Sequence, residues 1–405
     1  MKKQYRKYPR KIGRFFINLM FFLIIFCFIQ GCHHAESNDN NIIPGAYRLK
    51  KYLPQIKNKD IGVVANHTSF IGEVHLVDSL INLDVQVLKI FSPEHGFRGE
   101  AEAGEKWTDH KDKKTGLPII SLYGNHRKPT IEDMNGLDVV LFDIQDVGVR
   151  FYTYISTLHY VMESCAENNV RLIILDRPNP NGFYIDGPVL NPAHRSFVGM
   201  HPVPLVYGMT IGEYAGMING EGWLKDKAQC DLTVIPCKNY HHHSKYHLPI
   251  KPSPNLKNMR AVYLYPSLGL FEGTVISVGR GTSHPFQILG HPDYPDTSFS
   301  FMPRSIDGES RNPKHKQHQC YGVDLTSLSV QELSNKSEIN LEWLLHFYWK
   351  LGNKEPFFNA FFTNLSGTEK LKKQVESGKT EDEIRNSWQK ELNAFKEMRT
   401  KYLLY

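Results

Sequence analysis

The sequence lacks the motifs that mark several large enzyme classes. No GxGxxG fingerprint opens the first strand-to-helix turn and no GxSxG elbow is present, which argues against a nicotinamide cofactor and a serine nucleophile. Ser377–Thr380 has the ending of a phosphate-binding loop, but Lys373 stands where that loop needs its first glycine. No cofactor is therefore predicted.

Cysteine is scarce, with six in 405 residues and no CxxC pair. The missing spacing argues against a structural zinc site, and no metal is predicted. Export would permit disulfides, and Cys230 with Cys237 is the favoured local pair, although the sequence leaves open whether they are bonded; Cys165 is predicted to be buried and free.

A basic surplus is missing from most of the chain. The net charge is +6, but seven basic residues precede Phe15, so the charge of the remainder is nearly balanced. Binding to a phosphate backbone needs clustered Lys and Arg. Nucleic acid is therefore not a predicted partner.

The N-terminus carries the features of an export signal. Basic residues precede the apolar run Phe15–Phe28, which has the length of a signal-peptide core and is short for a membrane span. Ile29–Cys32 resembles a bacterial lipobox, so residues 1–31 are predicted to be a lipoprotein signal peptide and Cys32 the lipidated residue. An uncleaved anchor is the alternative. Residues 32–43 are predicted to be a flexible tether, which leaves an exported, membrane-anchored lipoprotein in the periplasm or at the outer membrane.

Short β-branched runs alternate with helical stretches from Ile61 onward, which predicts an α/β fold with a Rossmann-like parallel sheet. The five predicted strands cover residues 61–65, 85–91, 118–123, 139–142 and 171–176. A polar or Gly/Pro-rich loop follows each strand. Because the carboxyl ends of parallel strands share one edge, these loops are predicted to form one site.

The character of the chain changes near residue 230, where prolines become frequent and the strand-helix alternation fades. We predict a Rossmann-like catalytic domain over residues 44–229. A smaller α+β domain is predicted over residues 230–405, and it would cap the cleft that holds the active site.

The densest polar segment follows the apolar run Val139–Phe142, at the predicted carboxyl end of its strand. Such density at a ligand-binding edge indicates function, and the alternative is an Asp/Arg network that fastens a loop. The polar residues concerned are Asp143, Gln145, Asp146, Arg150, Tyr152 and Tyr154.

Glu94 is the predicted proton donor. Pro93 stiffens the approach to it and Gly96 frees the exit, while Phe91 and Phe97 supply apolar surroundings that favour a protonated carboxyl group. Cleavage of a glycoside needs such an acid and usually a second carboxylate. The candidates for that second carboxylate are Asp143, Asp146 and Glu272.

Two other acidic residues have distinct contexts. Glu272 precedes a glycine-rich stretch with Arg280 and Thr282, where backbone can approach a ligand closely; a buried Glu–Arg pair in a turn is the alternative. Glu213 follows Thr210 by three residues, which predicts a capping box at a helix start. Glu213 is therefore predicted to be structural.

Seven motifs together resemble the NamZ-type exo-β-N-acetylmuramidases. They are Asn66–Thr68, Ser92–Gly99, Ser121–Gly124, Phe142–Tyr154, Leu175–Pro180, Ser253–Asn255 and Gly279–Thr282. The resemblance runs from about Ile61 to Tyr405. It implies a two-domain protein that removes terminal N-acetylmuramic acid from peptidoglycan fragments, with Glu94 as the catalytic acid. His291 departs from the small residue more usual in the family and is expected to alter the cleft rim.

The implied substrate gives the remaining polar residues a role. N-acetylmuramic acid carries a lactyl ether with a carboxylate, which arginine binds in a bidentate manner. Tyr152, Tyr154 or Tyr123 would stack on the sugar. The predicted arginine contacts are Arg98, Arg150, Arg177 and Arg280, and the other predicted polar contacts are Asn66, His67, His95, Gln145, Asn179 and Thr282.

Two alternatives remain open at this stage. One is a lipoprotein that binds peptidoglycan-derived glycans or muropeptides without cleaving them. The other is a metal-dependent hydrolase that uses Asp143 and Asp146.

Overall fold

Twelve strands are present in the computed structural model, which describes residues 42–98, 110–352 and 356–405. They are β1 (Ile61–Ala65), β2 (Phe70–Ile71), β3 (Val74–His75), β4 (Val87–Ser92), β5 (His110–Lys111), β6 (Pro118–Ser121), β7 (Val139–Asp143), β8 (Arg171–Leu175), β9 (Leu232–Ile235), β10 (Ile288–His291), β11 (Ser300–Phe301) and β12 (Cys320–Asp324). The predicted signal peptide, Cys32 and residues 32–41 of the predicted tether lie outside the described residues.

A mostly parallel sheet forms the centre of the fold, in the order β5-β6-β4-β1-β7-β8-β9. Only β5 is antiparallel to its neighbour. Numbered along the chain, the six parallel strands follow the doubly wound order 3-2-1-4-5-6, which reverses between β1 and β7. The predicted α/β class is confirmed, and all five predicted strands are present.

The apolar runs form strands because both faces of the sheet are buried. Every residue of β1 and β7 is buried. Successive side chains point to opposite faces, so Val63 and Leu141 enter one core whereas Val64 and Phe142 enter the other. The strands therefore carry almost no polar chemistry until their carboxyl ends.

Helices cover both faces of the sheet. Leu80 joins one core and Leu158 the other. The helices are Leu49–Ile56, Leu76–Asn82, Ile131–Met134, Tyr154–Asn168, Ile211–Gly220, Met259–Leu268, Val330–Asn335, Glu342–Leu351, Phe361–Ser366, Glu369–Glu376, Glu381–Asn386 and Gln389–Arg399. Within the described ranges, none of them has both the length and the apolar content to cross a membrane.

The predicted capping box is confirmed at the start of helix Ile211–Gly220. The Thr210 side chain accepts a hydrogen bond from the backbone N–H of Glu213, and the Glu213 carboxylate accepts one from the backbone N–H of Thr210. The backbone N–H of Leu404 also donates to Glu213. Glu213 thus ties a helix start to the C-terminus.

The central sheet continues past the boundary predicted at residues 229/230. Strand β9 pairs in parallel with β8 and is its last member. A separate antiparallel sheet, β10-β12-β11, follows later in the chain. The described residues from Ile42 to Tyr405 form one compact unit.

The local cysteine pair favoured from the sequence is not disulfide-bonded. Cys230 and Cys237 are both buried free thiols. They flank the extended strand β9, which separates them by roughly 20 Å of chain, too far for a disulfide. Cys230 instead hydrogen bonds to Cys165, and the Cys237 thiol donates to the carbonyl of Asp176 at 3.3 Å.

Candidate active site

A cavity of about 450 Å³ lies at the carboxyl edge of the sheet. Its walls include Glu94 after β4, Tyr123 after β6 and Phe151–Tyr154 after β7. Residues 196–198, residues between 253 and 286 and residues between 361 and 365 also contribute to it. The volume is typical of a small-molecule site, and the position is the one at which doubly wound sheets bind ligands.

Glu94 lies on the cavity wall and is held by two neighbours. The Thr153 hydroxyl donates to Glu94 Oε2 at 2.7 Å. Tyr123 also hydrogen bonds to Glu94, and burial followed by the adjacent carboxylate raises the pKa of Tyr123. Both neighbouring groups are hydroxyls, so each of them positions Glu94 through a neutral hydrogen bond.

The loop after Glu94 turns sharply. His95 and Gly96 have φ angles of 74° and 78°, in the left-handed region that glycine adopts readily and other residues rarely do. Histidine is one of the residue types that tolerate this region, and strained backbone is often found at functional sites. The turn brings His95 onto the cavity wall beside Glu94.

Glu272 is the second carboxylate on the cavity wall. Arg280 donates to Glu272 Oε1 through Nε at 2.8 Å and through Nη2 at 2.7 Å. The Arg280 guanidinium also lies 5.1 Å from the centre of the Phe286 ring. The Glu–Arg pair that the sequence left as an alternative is therefore present, and both of its residues line the cavity.

Aromatic rings form much of the remaining wall. Tyr152 lies edge-on to Tyr154 at 4.8 Å and to Tyr265 at 5.9 Å between ring centres. The hydroxyl of Tyr152 donates to the carbonyl of Pro252 at 2.7 Å, and that of Tyr154 accepts from Asn66 Nδ2 at 2.9 Å. Both tyrosines line the cavity with their hydroxyl groups fixed.

Asp143 does not line the cavity. It is fully buried and forms a bidentate ion pair with Arg177, whose Nε lies 2.5 Å from Oδ1 and whose Nη2 lies 2.8 Å from Oδ2. This is the loop-fastening Asp/Arg network that the sequence left as an alternative. The predicted roles of Asp143 in catalysis and Arg177 in substrate binding are revised accordingly.

Asp146 is also buried away from the cavity wall. It accepts hydrogen bonds from the Tyr207 hydroxyl and, at 2.6 Å, from the backbone N–H of Gly148. Burial raises the pKa of Asp146 to about 7, although these hydrogen bonds act in the opposite direction. Its predicted catalytic role is revised to bracing the loop after β7.

Arg150 is fully buried, and its guanidinium donates to three backbone carbonyl oxygens. Nη1 reaches Pro188 at 2.8 Å and Val203 at 2.7 Å, and Nη2 reaches Leu365 at 3.0 Å. Burial lowers the pKa of Arg150 to about 9. Arg150 therefore joins distant chain segments, and its predicted contact with substrate is revised.

Six other residues that were predicted to contact the substrate also lie off the cavity wall. Their side chains interact with other groups of the protein. Gln145, Asn179 and His67 each have a side-chain nitrogen within 2.9 Å of a backbone carbonyl. Arg98 forms ion pairs with Asp112 at 2.8 Å and Asp78 at 3.3 Å. The six residues are Asn66, His67, Arg98, Gln145, Asn179 and Thr282, and His291 is likewise absent from the wall.

Sequence reasoning missed several polar or aromatic residues of the wall, among them Arg127, Thr153 and Phe197. The Arg127 guanidinium lies 4.4 Å from the centre of the Phe197 ring. A usable signal was present, because Arg127 lies in the loop that follows the predicted strand at 118–123. No pattern pointed to Phe197.

The chemistry of the donors gives no support to the metal-dependent alternative. Hydrogen-bond donors and Arg177 engage the carboxylates of Asp143 and Asp146. In the part of the chain that the structure describes, no three His, Cys, Asp or Glu residues are grouped as metal ligands.

The fold and the cavity define a Rossmann-like α/β enzyme whose site contains two carboxylates, the pair of groups used by glycoside hydrolases. The family described as "Exo-beta-N-acetylmuramidase NamZ" matches this chain in two parts, its N-terminal profile over residues 61–260 and its C-terminal profile over residues 263–405. The chain belongs to the NamZ exo-β-N-acetylmuramidase family, which confirms the resemblance seen in the motifs.

Individual relatives agree with this assignment. The peptidoglycan β-N-acetylmuramidase NamZ of Bacillus subtilis (strain 168) is 37% identical over 377 residues, covering 88% of this chain and 89% of that protein. A crystal structure of a DUF1343 family protein from Bacteroides fragilis NCTC 9343 has a TM-score of 0.84 at 48% identity, covering 90% of this chain and 99% of that one. A second DUF1343 structure from that strain has a TM-score of 0.78 at 28% identity, with the same coverage.

Proposed function

We propose that this protein is an exo-acting β-N-acetylmuramidase that releases terminal N-acetylmuramic acid from peptidoglycan fragments. The observation that carries the proposal is Glu94, held on the wall of a 450 Å³ cavity by Thr153 and Tyr123. The name of the Bacillus subtilis relative, a peptidoglycan β-N-acetylmuramidase, supports the same substrate.

Glu94 acts in this proposal as the general acid. Cleavage of a glycosidic bond leaves negative charge on the departing oxygen, and a carboxylic acid within hydrogen-bonding reach neutralises it by donating a proton. Thr153 and Tyr123 fix the carboxyl group, so little reorientation precedes proton transfer. The product alcohol then leaves with the proton.

Glu272 is the favoured second carboxylate. It lines the cavity together with Glu94, whereas Asp143 and Asp146 are buried in loop-bracing contacts. A carboxylate near the sugar stabilises the positive charge that develops on the ring, attacks the anomeric carbon as a nucleophile, or removes a proton from the water molecule that attacks this carbon. Arg280 holds one oxygen of Glu272 and so fixes the orientation of the group.

The aromatic wall supplies the binding surface for the sugar. Sugar rings expose apolar C–H faces that pack on aromatic rings, and the cavity presents Phe151, Tyr152, Tyr154, Tyr265 and Phe286. The tyrosine hydroxyls that bond to the protein keep the rings in place. Binding is thus expected to cost little rearrangement.

Hydrolysis of a chromogenic β-glycoside tests the proposal. Protein lacking residues 1–32 is expected to release the chromophore from the N-acetylmuramic acid glycoside, because the cavity lies wholly within residues 94–365. Mass spectrometry of digested peptidoglycan fragments should show free N-acetylmuramic acid as the released monosaccharide. Saturable binding of the glycoside without any product would instead indicate a non-catalytic binding protein.

Cys32 is proposed to carry the membrane anchor, on the strength of the motif Ile29–Cys32 after an apolar run. The full-length protein expressed in bacteria is expected to partition into detergent and to incorporate a fatty-acid label. The C32A variant should lose the label, since the lipid bond requires the thiol. Equal labelling of the two proteins, with masses that differ only by the substitution itself, would contradict lipidation and favour an uncleaved anchor.

A further inference from the structure

Arg127 differs from the other arginine on the cavity wall in having no acidic partner in the part of the chain that the structure describes. Arg280 is paired with Glu272, so those two charges offset each other. Among the described residues, no carboxylate lies within ion-pair distance of Arg127, whose guanidinium instead lies over the Phe197 ring. Of the cavity-lining arginines in the described ranges, Arg127 is thus the one without an acidic partner.

Aromatic stacking holds this cation in position. The guanidinium lies over Phe197, and that ring stacks in turn on Tyr160 at 6.3 Å with an angle of 17° between the planes. Stacking uses the flat face of a guanidinium and leaves its N–H edge for hydrogen bonds. Arg127 is therefore prepared to bind a planar anion through its edge.

The position of Arg127 relates it to the acid. Tyr123 hydrogen bonds to Glu94, and its ring lies 6.3 Å from the ring of Phe197 on which Arg127 stacks. The cation and the acid are thus neighbours of the same tyrosine. A sugar bound with its glycosidic oxygen near Glu94 would occupy the same cavity that Arg127 lines.

The other arginines that were predicted to contact the substrate already interact with other groups of the protein. Arg98 is paired with Asp112, Arg177 with Asp143, and Arg150 with backbone carbonyl oxygens. An anionic substituent on the substrate needs a cation that is not already neutralised, because two oppositely charged partners offer little net attraction. Of the two arginines that line the cavity, Arg127 is the one that meets this requirement among the described residues.

We infer that Arg127 is a specificity-determining residue that binds the carboxylate of the lactyl ether on the substrate sugar. The inference rests on the proposed function and deepens it. N-acetylglucosamine lacks this group, so a bidentate contact with Arg127 would discriminate between the two sugars. Phe197 and Tyr123 provide the aromatic support for that contact.

Two matched glycosides test the assignment with the purified full-length protein in detergent. One carries the free lactyl carboxylate, and the other carries the same group as a neutral methylamide. Wild-type protein should prefer the carboxylate by about 10- to 100-fold in kcat/KM, mainly through KM, because charge-assisted bidentate bonds are strong. R127Q should lower kcat/KM for the carboxylate substrate far more than for the methylamide and so abolish the preference, while R127K should keep part of it.

The exposed Arg195, which does not line the cavity, provides the control. R195Q should keep the wild-type preference. Loss of both substrates to the same extent in R127Q, or an undiminished preference, would overturn the assignment.

A separate measurement distinguishes this inference from the proposed function. If wild-type protein cleaves neither glycoside, the proposed function fails. Calorimetric binding of free N-acetylmuramic acid and of its methylamide then still tests Arg127. A carboxylate preference that disappears in R127Q supports the inference, and equal affinities for wild type and variant overturn it.

Discussion

The E94Q variant is expected to lose about 10²- to 10⁴-fold in kcat on a substrate whose leaving group is a sugar, as is usual when a general acid is removed. Glutamine keeps an oxygen that accepts the Thr153 hydrogen bond but has no proton of suitable acidity to donate. The loss should be much smaller with a nitrophenol leaving group, which departs without protonation. Initial rates on both substrates measure the difference.

The matched variant for this test is E272Q. A carboxylate that stabilises charge on the sugar ring is needed whatever the leaving group, so E272Q is expected to lose similar activity on both substrates. Thermal unfolding of each variant checks that the fold is retained. Full activity of E94Q on the sugar-linked substrate would show that Glu94 is not the general acid. If instead the loss in E272Q depends on the leaving group, Glu272 would be the general acid and Glu94 the second carboxylate.

The sequence predicted the parallel sheet well because its strands are apolar on both faces. Val139–Phe142 and Ile61–Ala65 need no polar partners and read as continuous apolar runs. Two edge strands were missed for the opposite reason. His110–Lys111 has two exposed residues, and three of the four residues of Leu232–Ile235 are only partly buried, so neither gives a clear pattern.

The site was predicted less completely, because position along the chain does not reveal which way a polar side chain points. Glu94 and Asp143 both follow apolar strands, yet one faces the cavity and the other is enclosed with Arg177. The distinction depends on partners far away in sequence, such as Leu365, whose carbonyl accepts from Arg150 across 215 positions. A single sequence contains no direct signal for such pairs.

Polar residues after a strand therefore have two roles in this fold. Asp143, Asp146 and Arg150 bind backbone and charged groups that fix the loops. The neighbouring Tyr152 and Tyr154 reach the cavity. Because the loop is braced from within, the cavity wall is expected to be largely preformed before a ligand binds.

Replacing Arg150 by methionine tests the bracing role and is expected to destabilise the protein by about 3–5 kcal/mol. Methionine fills a similar length but leaves the carbonyl groups of Pro188, Val203 and Leu365 without their donor. Thermal unfolding should show a Tm lower by roughly 4–7 °C, given the size of the described unit. Methionine at the exposed Arg195 is the control and should leave Tm nearly unchanged.

Kinetics of the same Arg150 variant separate bracing from substrate binding. At a temperature where both proteins remain folded, KM should match the wild-type value, because Arg150 is fully buried and lies off the cavity wall. The contrast with Arg127 is direct, since R127Q should raise KM for the carboxylate substrate without lowering Tm. A wild-type Tm combined with a raised KM in the Arg150 variant would show that Arg150 binds the substrate and does not brace the fold.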